Sequence, residues 1–396
     1  MEIRIVKNSS VENGKYLKNG YILETVMSNS HYEDIKKTRI FLYNIHENTK
    51  VEVAPKLDKY VFGDIFNVST NSDYIYFVTA SVKENDIYDA CIVRYNYIEN
   101  VTEPIYSFEA NMEDYNSIYR LKIFVLNDIC ILLQKDELIS NMAGTFYDYN
   151  KHYLKLYNIN ENQIYEVVDE NFIKNGIELM YAVSDNTAII KTGFSLLPYD
   201  KYNVYEKEEM SVETISLVTI GQLISDIMIG QNNISTNIID QAYSSRTFPV
   251  VEVWDEYLKY SAVNFDKREE EVFFYNLETK EVKSCINQNV IRMQDLVNIY
   301  CVNNKPWIQV NGKECIRFVN FEDMSSKVEF EDDREFRDII GDVFILTCKE
   351  SKGIIKKSYY DYFEMYAVNN KLLLREKGTY LFGVRTEDDE LYIFIK

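Results

Sequence analysis

The chain is written in short runs of β-branched and aromatic residues, punctuated by clusters of Asn, Asp, Ser and Gly. Such runs predict strands, and such clusters predict the tight turns between them. The stretch RIFLYNIHENTKVEVA, residues 39 to 54, reads as two strands around a turn, and IVRYNYIENVTEPIYS, residues 92 to 107, repeats it. In both, an aromatic residue followed by Asn precedes the turn and an apolar run follows it. Aligned on that aromatic position, the chain yields Tyr43, Tyr95, Tyr157, Tyr275, Phe318 and Tyr366, at separations of 52, 62, 118, 43 and 48 residues. The separation of 118 is about twice the others, so a weaker copy is expected near its midpoint, where TISLVTI, residues 214 to 220, stands.

Each of these outer hairpins follows another strand pair, such as IFNVSTNSDYIYFVT at 65 to 79 and LKIFVLNDICILLQ at 121 to 134. The unit is therefore four short antiparallel strands, repeated with almost no segment of helical period. Two sandwich domains would also give closely spaced strands, but a sandwich has no reason to repeat one turn every four strands. The pattern resembles a β-propeller over essentially the whole chain. It carries neither the Trp-Asp and Gly-His pairs of WD40 repeats nor the double glycines of kelch blades. The expected fold is all-β, a single β-propeller domain over residues 1–396 with its ring closed by both chain termini. Seven blades are expected, with six or eight as alternatives, at about 63–107, 119–168, 178–230, 249–286, 296–330, 335–376, and 380–396 with 1–55. One stretch departs from the strand pattern. In residues 216 to 235, Ile220, Leu223, Ile224, Ile227 and Met228 follow helical spacing. They predict either a short helix after the fourth hairpin or a continuing weak strand. On the loop face, such a helix would lid the channel or offer an apolar patch.

Composition narrows the partners. The 63 acidic and 43 basic residues leave a net charge of −20, which repels nucleic acid and anionic lipid and favours a basic partner. No apolar run is long enough to span a membrane, and the N-terminus shows no secretory pattern. The six cysteines are scattered and form no CxxC pair, which suits free thiols in a reducing cytoplasm. The residue usage, rich in Asn, Ile, Lys and Tyr, suits an AT-rich bacterial genome. A cytoplasmic monomer is expected, binding a protein or peptide, without nucleic acid and without insertion into a membrane.

Propeller topology separates the connections. Those between the second and third strands of a blade, and those between blades, share one face, whereas the remaining turns share the other. The long connections, at 135 to 153, 193 to 212, 231 to 248 and 349 to 361, are all assigned to the first face. Long loops on a rigid scaffold are where binding usually resides. Several of the equivalent connections carry an aromatic residue followed by an acid: Tyr32-Glu33, Tyr88-Asp89, Tyr147-Asp148, Tyr199-Asp200, Phe265-Asp266 and Tyr360-Asp361. The candidate binding residues are Tyr147, Asp148, Tyr149, His152, Tyr199, Asp200, Tyr202, Tyr243, Arg246, Tyr360 and Asp361. The alternative role for the aromatic-acid pairs is structural, covering the edge of the core and bracing loop backbone.

No catalytic motif stands out. GxSxG, HExxH, the GxxxxGK phosphate loop and the EF-hand loop are missing from the sequence. The histidines, His31, His46 and His152, match no metal spacing, so neither a metal nor another cofactor is expected. His152 is the one candidate general base. The acidic runs at 329 to 336 and 386 to 391 read as solvated turns. These features suit a binding or scaffold propeller using the Tyr-rich face. A hydrolase or lyase with its site at the channel mouth of that face is the alternative, and whether the chain is an enzyme stays open. A third reading is a structural or immunity-like component with an apolar patch near residues 220 to 235.

Overall fold

The structure is a computed structural model. It describes residues 2–7, 9–27, 38–53, 60–66, 73–84, 87–111, 121–140, 147–193, 212–243, 246–254, 256–264, 266–288, 290, 296–303, 305–311, 315–323, 325–331, 333–352 and 358–396. Strand β1 (Glu2–Val6) belongs to the last sheet. Blade 1 is β2 (Lys15–Tyr16), β3 (Tyr21–Met27), β4 (Thr38–Asn44) and β5 (Thr49–Glu52); blade 2 is β6 (Tyr60–Phe66), β7 (Tyr74–Glu84), β8 (Ile87–Asn96) and β9 (Val101–Asn111). Blade 3 is β10 (Leu121–Val125), β11 (Cys130–Ser140), β12 (Tyr147–Asn158) and β13 (Gln163–Glu166). Helix α1 (Glu170–Asn175) leads into blade 4, which is β14 (Ile177–Ser184), β15 (Thr187–Thr192), β16 (Glu213–Thr219), the helix α2 (Ile220–Met228), and β17 (Asn237–Ala242). Blade 5 is β18 (Arg246–Trp254), β19 (Tyr257–Asn264), β20 (Glu269–Asn276) and β21 (Val282–Gln288); blade 6 is β22 (Ile299–Val302), β23 (Lys305–Asn311), β24 (Cys315–Asn320) and β25 (Lys327–Glu331). Blade 7 is β26 (Arg334–Ile340), β27 (Val343–Lys352), β28 (Ser358–Ala367) and β29 (Leu372–Lys377). Blade 8 is β30 (Tyr380–Arg385), β31 (Glu390–Ile395) and β1, with β1 parallel to β31.

Eight sheets make eight seams, and a separate buried cluster fills each of them. The seam between blades 7 and 8 holds Ile345, Met365 and Ile393, and the seam that returns from blade 8 to blade 1 holds Ile22, Tyr43 and Phe394. The ring is therefore closed, and burial in each seam supplies the apolar drive for its neighbours to stack. First strands of adjacent blades touch, as β6 does β10 and β26 does β30, which puts them nearest the axis.

The β-propeller read from the sequence is the fold observed, with eight blades, a count left open beside seven. The expected union of 380–396 with 1–55 resolves into two sheets. Residues 15–52 supply four strands of their own, and only Glu2–Val6 joins the C-terminal pair. The weak fourth unit also differs. Its fourth strand is Asn237–Ala242, displaced downstream by α2, so the supposed loop at 231 to 248 is largely strand.

The recurring Tyr-Asn pair has a single local cause. Each Asn ends the third strand and turns its side chain onto the backbone of the following turn. Asn44 Oδ1 accepts from the amides of His46 and Glu47 at 2.9 and 3.1 Å, and Asn96 from those of Ile98 and Glu99 at 3.0 and 2.9 Å. Asn158, Asn276 and Asn320 repeat the arrangement. The last turn residue is left-handed, and Asn tolerates that conformation. Asn48, Asn100 and Asn162 sit at φ 54, 57 and 52°. The hydroxyls of Tyr43, Tyr95 and Tyr157 donate to these Asn side chains at 2.8, 2.9 and 2.7 Å, so each ring clamps the turn that follows it.

Helix α2 interrupts the fourth copy of this turn. The amides of Ile220 and Gly221 donate to the backbone and side-chain oxygens of Asn186 at 2.9 and 3.0 Å, so an adjacent turn caps the helix start. Ile220, Leu223 and Ile227 are buried in the seam between blades 3 and 4. The helix lies in a third-to-fourth strand connection, and its apolar side is spent on that seam. The lid and the apolar patch expected of it are not what these residues form.

Candidate binding face

Second and third strands are six to eight residues long in blades 1, 4, 5 and 6. In blades 2, 3 and 7 they run to ten to twelve. The surplus lies at one end. In blade 3, β10 pairs with β11 only as far as Lys135, beyond which β11 and β12 continue alone from Asp136↔His152 to Ser140↔Tyr147. In blade 7, pairing of β27 with β26 stops at Cys348, and Lys349–Lys352 pair onward with Ser358–Asp361. In blade 2, pairing of β7 with β6 stops at Ala80, while β7, β8 and β9 continue past it. At about 3.3 Å per residue, four or five extra residues raise each arm roughly 15 Å above its blade. All three arms rise on the same face, because every second-to-third strand turn lies there. In a ring of eight, blades 3 and 7 stand opposite one another, with blade 2 beside blade 3.

Tyr147, Asp148 and Tyr149 lie near the tip of the blade 3 arm, on its returning strand β12, and Tyr360 and Asp361 lie on the blade 7 arm. Tyr199, Asp200 and Tyr202 fall outside the described residues. Tyr243 is exposed in the turn from blade 4 to blade 5. Arg246 sits three residues on, committed to Asp240 through Nη1 at 2.9 Å and Nη2 at 2.7 Å, with its guanidinium 5.1 Å from the centre of the Phe248 ring. Asp361 accepts a hydrogen bond from Thr379 Oγ1 at 3.3 Å. An open groove on the flank of blade 2 is lined by Asp89, Ala90, Cys91, Ser107, Phe108 and Glu109.

His152 occupies a different setting from the rest. It is 2% exposed at the base of the blade 3 arm and packs on Gly176, where a Cβ would meet its Nδ1 at 2.5 Å. Gly176 closes α1 at φ 63°, its amide bonded to Phe172 O at 2.8 Å. The imidazole thus fills a space that only glycine leaves open.

Sequence reasoning passed over the charged groups buried in the seams. Lys191 on β15 is 1% exposed; its Nζ donates to Phe248 O of blade 5 at 2.7 Å and pairs with Glu213 at 3.3 Å and with Glu178. Glu213, fully buried, accepts from Phe248 N at 2.8 Å and from the Thr247 hydroxyl. Burial pushes the Glu178 carboxyl up, against the pull of Lys191. The neighbouring seams repeat the device. Gln134 Nε2 reaches Ile177 O of blade 4 at 3.0 Å, and Lys259 Nζ reaches Ile299 O of blade 6 at 3.3 Å. Glu270, fully buried, accepts from Val297 N at 2.9 Å. Second-strand donors therefore staple blades 3, 4 and 5 to the first strand of the next blade, and third-strand carboxylates join them in blades 4 and 5. The available sign was a Lys inside an apolar run, as in TAIIKT.

Among the described residues, no helix is long and apolar enough to cross a membrane. No family model matches the chain, and no curated protein matches its sequence. Among solved structures it is similar to the dipeptidyl peptidase 4 of Porphyromonas gingivalis, at 9% identity and a TM-score of 0.51, over 96% of this chain and 57% of that one. A prolyl endopeptidase aligns at 7% identity and a TM-score of 0.49, over 96% of this chain and 53% of that one. The β-propeller domain of the Trilobed protease from Pyrococcus furiosus aligns at 8% identity and a TM-score of 0.41, over 90% and 94%. The chain thus spans little more than half the length of the two larger peptidases, and identities this low speak to fold alone.

Proposed function

We propose that this protein is a recognition platform, holding a protein or peptide segment on the face from which the arms of blades 2, 3 and 7 rise. The observation that carries the reading is the confinement, among the described residues, of the longest second and third strands to three hairpins on one face, two of them opposed across the ring. A two-stranded hairpin is marginal on its own, as in the arms of blades 3 and 7, and a ligand lying between them would supply further contact. Their tyrosines suit such contact, since Tyr gives a large rigid surface at low entropic cost. The net charge of −20 favours a basic segment and a salt-sensitive association rate.

The experiment is a peptide array probed with the wild-type protein and with a variant carrying Tyr147→Ala, Tyr149→Ala, Tyr199→Ala and Tyr202→Ala, both checked for folding. Saturable binding of basic peptides that weakens at least about tenfold in the variant supports the platform. Equal binding by both proteins removes it from this face. Cleavage of array peptides without retention moves the assignment to the alternative, a hydrolase or lyase at the same channel mouth.

A further inference from the structure

We propose that blade 8 takes its fourth strand from a partner, an extended peptide with apolar side chains at alternate positions, laid along the outer edge of β1. Seven sheets have four strands, whereas blade 8 has three among the described residues, ending at β1. Both faces of β1 are already in use. Ile3 and Ile5 pack into the seam with blade 7, and Arg4 lies 5.6 Å over the Tyr392 ring on the side of blade 1. Among the described residues no strand pairs with its outer backbone edge, a row of groups that pairs readily with an added strand.

The seams show what is missing. In every other seam, the fourth strand of one blade, or its continuation, places a side chain against the next blade: Val53, Tyr106, Tyr165, Ile239, Cys285, Phe330 and Leu374. Among the described residues, the seam from blade 8 to blade 1 receives none from a fourth strand. Elsewhere such side chains cover the third strand of the next blade. Tyr106 lies 5.4 Å from Tyr157, and Phe330 lies 5.1 Å from Tyr366. On blade 1 the third strand turns Tyr43 and Phe41 toward blade 8. Tyr43 is buried against Phe394, but Phe41 is only half-buried, with Arg39 and Lys50 at 4.8 and 4.7 Å from its ring. A strand added to β1 would lay an apolar side chain on Phe41. The chain contains a template for such a strand in β25, KVEFE, whose Val328 and Phe330 are buried while its charged residues alternate outward.

The test uses a fluorescein-labelled heptapeptide with the sequence of residues 326 to 332, SKVEFED, as probe. Anisotropy gives the affinity, and amide hydrogen exchange of Glu2–Val6 reports the edge. Saturable binding is expected, with exchange of the outward β1 amides slowed at least about tenfold on pairing. Affinity should fall about tenfold in Phe41→Ala and persist in Phe41→Tyr. A peptide with Ser in place of its Val and Phe should not bind, which keeps the test sound even if Phe41→Ala folds poorly. Unchanged β1 exchange at saturating peptide, or equal affinity for Phe41→Ala, overturns the proposal. So does a dimer, seen by sedimentation without peptide, that already protects β1, because a second copy would then hold the edge.

Discussion

The side chain of Asn96 accepts two amides and so holds its turn closed. Asn96→Ala should cost about 1–2 kcal/mol, since two modest hydrogen bonds are lost where water can partly replace them. Asn100→Ala should cost a similar amount by another route, because Ala resists φ 57° and the Tyr95 hydroxyl loses its acceptor. Urea unfolding of both variants checks the pair. Gly176→Ala should cost about 1–3 kcal/mol in the same assay, as the new methyl meets His152 at an already left-handed residue. Removing Lys191 as Lys191→Met leaves Glu213 buried without its cation and should cost about 3–5 kcal/mol. One group ties the ring to pH. Asp338 on blade 7 accepts from Tyr380 Oη of blade 8 at 2.8 Å. Burial pushes its carboxyl above the ordinary 3.8, while the bonds from Tyr380 and the Ile339 amide pull it partly back. A carboxyl raised in the folded state stabilises the fold while protonated. That contribution is present below the unfolded pKa and is lost as pH rises through the folded one. Asp338→Asn should therefore lose less stability than wild type between about pH 4 and pH 7, measured by unfolding at both.

At the scale of elements, what could be read in advance was whatever neighbours in sequence determine. The Tyr-Asn turn is local, five residues from Tyr43 to Asn48, so its copies announced the blades. The helix was legible from its spacing, but its place was not, because its cap is Asn186, 35 residues earlier than Gly221. Its burial predicts that Leu223→Ala costs about 2–4 kcal/mol, read by thermal unfolding, where a free lid would lose almost nothing. The arms of blades 3 and 7 were legible as the long connections at 135 to 153 and 349 to 361, yet they are paired strands above the ring, and the arm of blade 2 was not among those connections. The seam staples were hidden for a related reason. Lys191 meets a carbonyl 57 residues away, and nothing near it in sequence names that partner.

At the scale of the molecule, the blade count turned on the two chain ends. Residues 15–52 complete four strands of their own, so the C-terminal pair founds an eighth blade, and Glu2–Val6 reads as a strand but not as whose strand. Replacing Ile3 and Ile5 by Ala should cost about 1–2 kcal/mol each, as both are partly buried in the last seam. Hydrogen exchange should then show blades 1 and 8 opening before the rest, since they flank the closure. The same clasp joins Arg4 to Tyr392 across 388 positions. A chain emerging from a ribosome at about 5–20 residues per second would wait on the order of 20–80 s between making the first strand and making its mate. Blades 1 to 7 can stack in order as they appear, while Glu2–Val6 must stay unpaired until the very end of that interval. For the newborn protein, the strand that finally locks the ring is the one longest at risk of pairing with the wrong neighbour.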